Sequence, residues 1–342
     1  MIKEQFGILG LGQCGGNIAS LFEQKQYTTV YLNTSKEDLN AIRGVHKIHI
    51  DGADGAAKDR RKVLQLATES FQSVIEKINS ILTQKYILVL FSSSGGTGSG
   101  LSIPILRYFS QIGKVCIPVV ILPDEKVESA KACENAYNTC AELMAIQGLG
   151  ATFLLDNANE DKFAINQKFV NEFDAFLNIK NSSIYGNIDM AERKQILSCP
   201  GATVIGKLSK SKSTASEIVH SLHNGIYAKI ESKIAYYLGI STSNKSLDTN
   251  SITKEFSGIY DVFSGISEAT TIAIVSGLQW PMKRIEKFKN KFELTAQTIN
   301  SSMMQQHPDI QPLQGLSIVN RRTIQPTATA NPRDILLGLL NN

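Results

Sequence analysis

Two glycine-rich runs are the strongest chemical signals in this sequence. The first is Gly10-Leu-Gly-Gln-Cys-Gly-Gly-Asn17, in which Gly10, Gly12 and Gly15 fit G-x-G-x-x-G. Glycines let backbone N–H groups approach phosphate oxygens, and a helix starting there offers further free N–H groups. Taken alone the run is a dinucleotide fingerprint, and it admits a Rossmann NAD-dependent oxidoreductase. A NAD site also wants an acid at the end of the second strand. Asn33-Thr34-Ser35 stand there, and Glu37 and Asp38 come later. The second run is Ser92-Ser-Ser-Gly-Gly-Thr-Gly-Ser-Gly100. Consecutive small residues fold N–H groups into an anion-binding concavity, and Thr97 and Ser99 add hydroxyls. A Gly/Ser run also suits a flexible linker, but this one lies between an apolar strand and its crossover helix. A third phosphate motif fails. Gly201–Lys207 has the G-x-x-x-x-G-K spacing, but Leu208 stands where Ser or Thr must bind magnesium, and the residues between read as a strand.

The loops need elements that hold them. Phe6–Leu11, Tyr86–Ser92 and Lys114–Leu122 read as buried strands, Thr28–Asn33 as a β-branched and aromatic strand, Ala151–Leu155 as a short strand, and Val45–Ile50 as an edge or half-exposed one. Helical patterns cover Gly16–Gln24, Ala56–Thr83 with one break near Thr68, Gly100–Gln111, Val127–Gln147 and Glu160–Asn178. This alternation predicts a doubly wound parallel α/β sheet. In such a sheet ligands sit at the carboxyl ends of the strands, where both glycine runs fall. The second half predicts a smaller α+β domain. Its strands are Ala202–Leu208, Ser257–Phe263 and Thr270–Leu278, and its helices run from about Met190, over Thr214–Leu238 and over Pro281–Gln305. From Pro308 the chain reads as a poorly ordered tail ending in the apolar patch Asp334–Leu340, which either docks on a neighbour or partner or folds back.

Composition excludes several classes. Charged residues make up 19% of the 342 and net charge is only +4, without the concentrated basic face of a nucleic-acid binder. No apolar run approaches the roughly 18 residues a membrane span needs, and no signal peptide is evident. Cys14, Cys116, Cys133, Cys140 and Cys199 form no CxxC pair, and His220 and His223 have no third ligand nearby. Reduced thiols, a cytoplasmic location and no protein metal site are therefore expected.

Ser94-Gly-Gly-Thr-Gly-Ser-Gly100 resembles the G-G-G-T-G-[ST]-G signature of the tubulin/FtsZ superfamily. Gly12-Gln-Cys-Gly15 is similar to the first phosphate loop of eukaryotic tubulin, and Gly15-Gly16-Asn17 to that of FtsZ. The motifs cover about residues 5–200, and the remainder agrees in length and pattern. The resemblance implies a GTPase domain over residues 1–158, a connecting core helix over 159–180, a C-terminal activation-type domain over 181–306, and a tail over 307–342. It implies GTP or GDP as ligand, with Mg2+ held mainly by the phosphates.

Contacts implied on the first loop are Gly12, Gln13, Cys14, Gly15 and Asn17, and on the second Gly95, Gly96, Thr97, Gly98, Ser99 and Gly100. Asn33-Thr34 resembles the family's N-T-D loop, where Ser35 departs from the acid. Gly52–Ala57 falls where the family covers the γ-phosphate, with Gly55 and Ala56 supplying backbone N–H groups. Pro123–Glu134 matches the ribose loop in place but lacks F-E-G-x-x-R, which leaves Glu128 as the ribose residue. Asp156-Asn157 is similar to a base-contacting D-N pair. Phe163 falls where an aromatic stacks on guanine, with core packing as the competing reading. Asn166 or Gln167, one turn on, presents a carboxamide that both donates and accepts.

Asn187-Ile-Asp-Met-Ala-Glu192 resembles the synergy loop N-x-D-x-x-[DE]. In the family this loop enters the next subunit's pocket, where its acids orient a water on the γ-phosphate. The resemblance thus implies catalytic roles for Asn187, Asp189 and Glu192. The same spacing fits a helix capping box, and the two roles are compatible. The implied function is a filament-forming GTPase with itself as head-to-tail partner. Within the superfamily, the pattern matches plasmid- and phage-encoded segregation proteins that act through a DNA-binding adaptor. A cell-division role of the FtsZ kind is the alternative, and a non-hydrolysing structural member is disfavoured by the presence of both acids.

Overall fold

A computed structural model describes residues 2–52, 55–179, 186–209, 214–256, 258–267, 270–306 and 332–340. Parts of four regions singled out above lie outside the described residues: 53–54, 180–185, 257 and 307–331.

The first half alternates as its apolar runs require: β1 (Phe6–Leu11), α1 (Gly12–Gln24), β2 (Thr28–Asn33), α2 (Lys36–Ala41), β3 (His46–His49), α3 (Arg60–Ala67), α4 (Phe71–Ile81), β4 (Tyr86–Ser92), α5 (Thr97–Gln111), β5 (Val115–Leu122), α6 (Ala130–Met144) and β6 (Ala151–Asp156). Next come α7 (Lys162–Leu177), α8 (Met190–Ser198), β7 (Gly201–Ser209), α9 (Ala215–His223), β8 (Tyr237–Thr242), α10 (Thr249–Thr253), β9 (Asp261–Ile266), β10 (Thr270–Leu278), α11 (Met282–Gln306) and α12 (Pro332–Leu340).

One sheet runs through the described chain in the order β3-β2-β1-β4-β5-β6-β7-β10-β8-β9. Only β10 is antiparallel to its neighbours. The strands after β6 thus extend the same sheet through the β6–β7 pair, Ala151↔Gly201 to Phe153↔Thr203. The strand order reverses between β1 and β4, and that switch point opens the crevice where ligands bind in such sheets. β1 and β6 are wholly buried, and β4 and β5 are buried but for one end residue each, which explains their unbroken apolar runs.

Several local expectations shift. The helix predicted over Thr214–Leu238 stops at His223, before Asn224-Gly225, and β8 takes up Tyr237–Thr242. Pairing with β9 and β10, residues distant in sequence, outweighs the local helical pattern. The strand expected at Ser257–Phe263 lies at Asp261–Ile266. The break near Thr68 is real, since Thr68 caps α3 and its hydroxyl donates to the Leu64 carbonyl. The tail's apolar patch forms α12, which buries Ile335 and Leu336 against α3, α4 and α5 of the same chain.

α7 packs beside the sheet and buries Phe169, Phe173 and Phe176, of which Phe169 and Phe173 meet Phe6, Phe22 and Phe153 in an aromatic cluster. It also buries Glu172, whose carboxylate accepts a hydrogen bond from the Tyr227 hydroxyl at 3.1 Å. Burial raises the Glu172 carboxyl from the ordinary 4.5 to about 8. The folded chain therefore holds a proton that the unfolded chain gives up above pH 4.5, and stability falls as pH rises through that window. Glu172→Gln removes the titration. The variant's urea midpoint should hold between pH 5 and 8 while the wild type loses about 1.4 kcal/mol per pH unit.

Candidate functional site

The two glycine loops leave neighbouring strands side by side, with Gly10 of β1 paired to Leu90 of β4. A Cβ on Gly15 would overlap the Leu90 carbonyl, so only glycine lets α1 approach β4 this closely. Gly12 takes φ +67°, and a Cβ there would lie 3.3 Å from the Gly98 amide nitrogen. The first and second loops therefore converge. α1, α4 and α5 begin with no side-chain cap, and of these α1 and α5 start at the glycine loops; α2, α3, α6, α7, α8, α9 and α10 are each capped by their own Ser, Thr or Asp. Two convergent helix starts with open N–H groups make an anion cradle.

Other loops close onto it. The Thr34 and Thr97 hydroxyls lie 2.7 Å apart, and Gly55 donates its amide to the Thr34 carbonyl at 3.2 Å. A Cβ on Gly96 would come within 2.5 Å of the Ala56 Cβ, so the 55–58 loop lies on the second phosphate loop. Asn135, buried on α6, fixes this contact. Its Nδ2 faces the carbonyls of Lys58 (2.9 Å), Ser94 and Gly95 (both 3.2 Å). Lys58 donates to Glu128 at 3.1 Å, and Glu128 is half-exposed. The Ser99 hydroxyl donates to the Gly95 carbonyl, and Gly100 is buried beside α3. Asn33 is buried, donating to Asp38 and accepting from the Ser35 amide, so its carboxamide shapes the loop. Gln13 and Asn17 are exposed on α1. Burial pushes the Cys14 thiol up to about 12, which leaves it protonated and no nucleophile.

At the far end of the cradle, beyond β6, the Asn157 Oδ1 is buried and accepts no hydrogen bond from the described residues. Such an atom has the chemistry to meet a ligand's donor. Phe163 is 62% exposed, which rules out core packing, and Asp161 caps α7 beneath it. Asn166 is buried and Gln167 exposed. α7 packs against α1, the helix that follows the first loop. Phosphate cradle, orphan acceptor and exposed ring all follow the carboxyl ends of the parallel strands β1, β4 and β6, and so share one edge.

Sequence reasoning missed the buried organiser of this edge, Arg284 on α11. Its Nε and Nη2 donate to the two Asp156 oxygens at 2.6 and 2.9 Å, its Nη2 also donates to the Pro123 carbonyl at 2.7 Å, and its Nη1 donates to Glu125. The Asp156 carboxylate is thereby engaged, while Asn157 is left facing the site. Nothing local marks Arg284 or Asn135, because their partners lie far away in sequence.

Asp189 and Glu192 are elsewhere. They form a capping box at the start of α8: the Glu192 amide donates to Asp189 at 2.9 Å and the Asp189 amide to Glu192 at 2.7 Å. Arg193, buried, ties this turn to the end of α7 by donating to the carbonyls of Leu177, Ile179 and Ile188. Exposed Asn187 precedes it, against Gly265. α8 lies at the amino edge of the sheet, with Lys194 5.9 Å from the ring of Tyr86, the first residue of β4. α7 spans the two edges with 16 residues, about 24 Å of helix. The acids of one chain therefore stand far from that chain's own phosphate cradle.

Residues 5–164 match the GTPase domain of the Tubulin/FtsZ family. The chain carries a tubulin/FtsZ-family GTPase domain. The family match sets aside the dinucleotide reading of the first loop. The tubulin-like protein TubZ of Clostridium botulinum C phage is 27% identical over 318 residues, spanning 87% of this chain and 88% of that protein. The structure of Clostridium botulinum phage c-st TubZ, truncated in its C-terminal tail, superposes with a TM-score of 0.79 at 25% identity, covering 87% of this chain and all of that one. A GTPγS-form protofilament of Bacillus thuringiensis serovar israelensis TubZ shares the fold at 18% identity, with a TM-score of 0.75 over 90% of this chain and 95% of that one. The matched GTPase domain contains both glycine loops and ends within the first turn of α7.

Proposed function

We propose that this chain is a filament-forming GTPase whose active site is completed by the next subunit. The observation that carries this is the separation just described: phosphate cradle and exposed acid pair sit at opposite edges, joined by α7. Head-to-tail stacking brings the acids of one subunit to the cradle of the next, and such a heterologous contact propagates into a filament when it does not close. The protofilament form of the Bacillus TubZ supports this mode of assembly.

In this reading the free N–H groups at the starts of α1 and α5, with those of Gly95 and Gly96, hold the phosphates, and the Ala56 amide lies over the outermost one, the Gly55 and Gly100 amides being engaged by the Thr34 and Gly96 carbonyls. Asn157, Asn166 or Gln167 reads the base edge, Phe163 stacks on it, and Glu128 faces the ribose. Asn187, Asp189 and Glu192 arrive from the neighbour, where a carboxylate aligns the attacking water. Phosphoryl transfer needs mainly positioning and charge management, which this arrangement supplies. Mg2+ would be held mainly by the phosphates and would neutralise their charge. The likeness to a phage TubZ supports a role in plasmid or phage DNA segregation, and the same reading takes a DNA-binding adaptor as partner. Turnover per subunit should rise steeply above a threshold protein concentration, together with light scattering. Turnover strictly proportional to concentration, with no assembly at any concentration, would refute the proposal.

A further inference from the structure

The phosphate-facing loops contain no cation. Gly10–Asn17, Asn33–Ser35 and Ser94–Gly100 have neither Lys nor Arg. Backbone N–H groups alone would face the several negative charges of a nucleoside triphosphate. Lys36 follows the Asn33–Ser35 loop, and Lys58 and Arg60 lie against the second glycine loop. Arg60 is committed, because its Nη2 binds Glu142 and the Ser99 carbonyl and its side chain is only 13% exposed. Lys36 is exposed on the first turn of α2. Lys58 differs from both.

The Lys58 Cα would lie 3.3 Å from a Cβ on Gly96, so its side chain starts at the second phosphate loop. The backbone there is held in a costly form. Gly55, Ala57 and Lys58 have φ of +90°, +46° and +60°, and two of these are not glycine. Asn135 locks the Lys58 carbonyl to those of Ser94 and Gly95. The ammonium, by contrast, is lightly held. Its bond to Glu128 joins side chains 43% and 39% exposed, the class of ion pair with little net stability. A strained, fixed backbone thus carries a loosely parked charge.

Position along the sheet tells which phosphate the charge meets. Asn157 and Phe163, at the base end, follow β6, and the glycine loops follow β4 and β1. The 55–58 loop follows β3, the edge strand farthest from β6 in this half of the sheet. A nucleotide laid from Asn157 across the glycine loops points its last phosphate towards this loop.

We propose that Lys58 distinguishes triphosphate from diphosphate: its ammonium exchanges Glu128 for the terminal phosphate. This rests on the assignment of the glycine loops as the phosphate site. A dianionic phosphate outcompetes one half-exposed carboxylate, so the exchange needs no rearrangement of the backbone. GDP leaves Lys58 on Glu128.

The test is equilibrium titration of the full chain with GTPγS and with GDP, for wild type, Lys58→Met and Lys58→Arg. Lys58→Met should lose about tenfold or more in GTPγS affinity, the size of one charge-assisted hydrogen bond, with GDP affinity within about twofold of wild type. Lys58→Arg should keep most of the GTPγS preference. Equal weakening of both nucleotides in Lys58→Met would mean a loop-building role and overturn the proposal, as would an unchanged ratio. Wild-type chain that binds neither nucleotide would instead overturn the phosphate-site assignment, and the role of Lys58 with it.

Discussion

Glu192→Gln should bind GTP as the wild type does and turn it over at least ~100-fold more slowly, the usual cost of losing a positioned acid–base group. The substitution separates chemistry from folding. Gln at this position keeps the capping box, because its carboxamide oxygen accepts the Asp189 amide as Glu192 does at 2.7 Å. Asp189→Asn is the matching change at the other acid, since Asn caps a helix as well as Asp. Ala at either place would mix lost charge with about 1 kcal/mol of lost capping. Filaments of both carboxamide variants should persist after GTP addition for as long as the nucleotide remains unhydrolysed. Phosphate release, pelleting and thermal unfolding together check this. Near-normal turnover in both variants would show that the capping box is all these acids do.

Arg284→Met should destabilise the fold by about 3–5 kcal/mol and weaken nucleotide binding at the same time. The Arg284 and Asp156 side chains are 9% and 5% exposed, so removing the guanidinium leaves a buried carboxylate without its partner. Glu125 and the Pro123 carbonyl lose the same anchor. The loops after β5 and β6 are those that would carry ribose and base contacts, so their loosening should appear in GTP affinity as well as in the urea midpoint. Asp156→Asn added to Arg284→Met should recover part of the stability, because the stranded charge is gone. A stability loss with unchanged nucleotide affinity would limit Arg284 to a structural part.

Much of this was legible in the sequence, for identifiable reasons. β1 and β4 coincide with their apolar runs, as strands buried on both faces do, and β2 with its β-branched and aromatic run. The glycine loops were legible because backbone approach to phosphate requires particular residue types at particular spacings. The capping box was legible because its partners are three residues apart. What escaped depends on distant chain. β8 went unread, only Tyr237 and Leu238 lying at the end of a helical pattern, until β9 and β10 paired with it. Arg284 looks like an ordinary basic residue of an amphipathic helix until Asp156, 128 positions away, meets it. Asn135 and Lys58 acquire meaning only where α6 and the 55–58 loop converge on Gly95 and Gly96. α12 was visible as an apolar patch, but only the tertiary fold shows it seated on α3, α4 and α5.

The central claim is that one active site takes its phosphate cradle from one chain and its acids from the next. Subunit mixing tests it. Gly95 has open space where a side chain would go, so Gly95→Glu places a repelling carboxylate beside the phosphates without a clash. Gly95→Glu chains should bind no GTP, and Glu192→Gln chains should bind it without turnover. In a one-to-one mixture, Glu192→Gln cradles meet intact acids of Gly95→Glu neighbours, and turnover should return to about a quarter of wild type by random pairing in a head-to-tail array. A mixture as inactive as either variant alone would contradict the account.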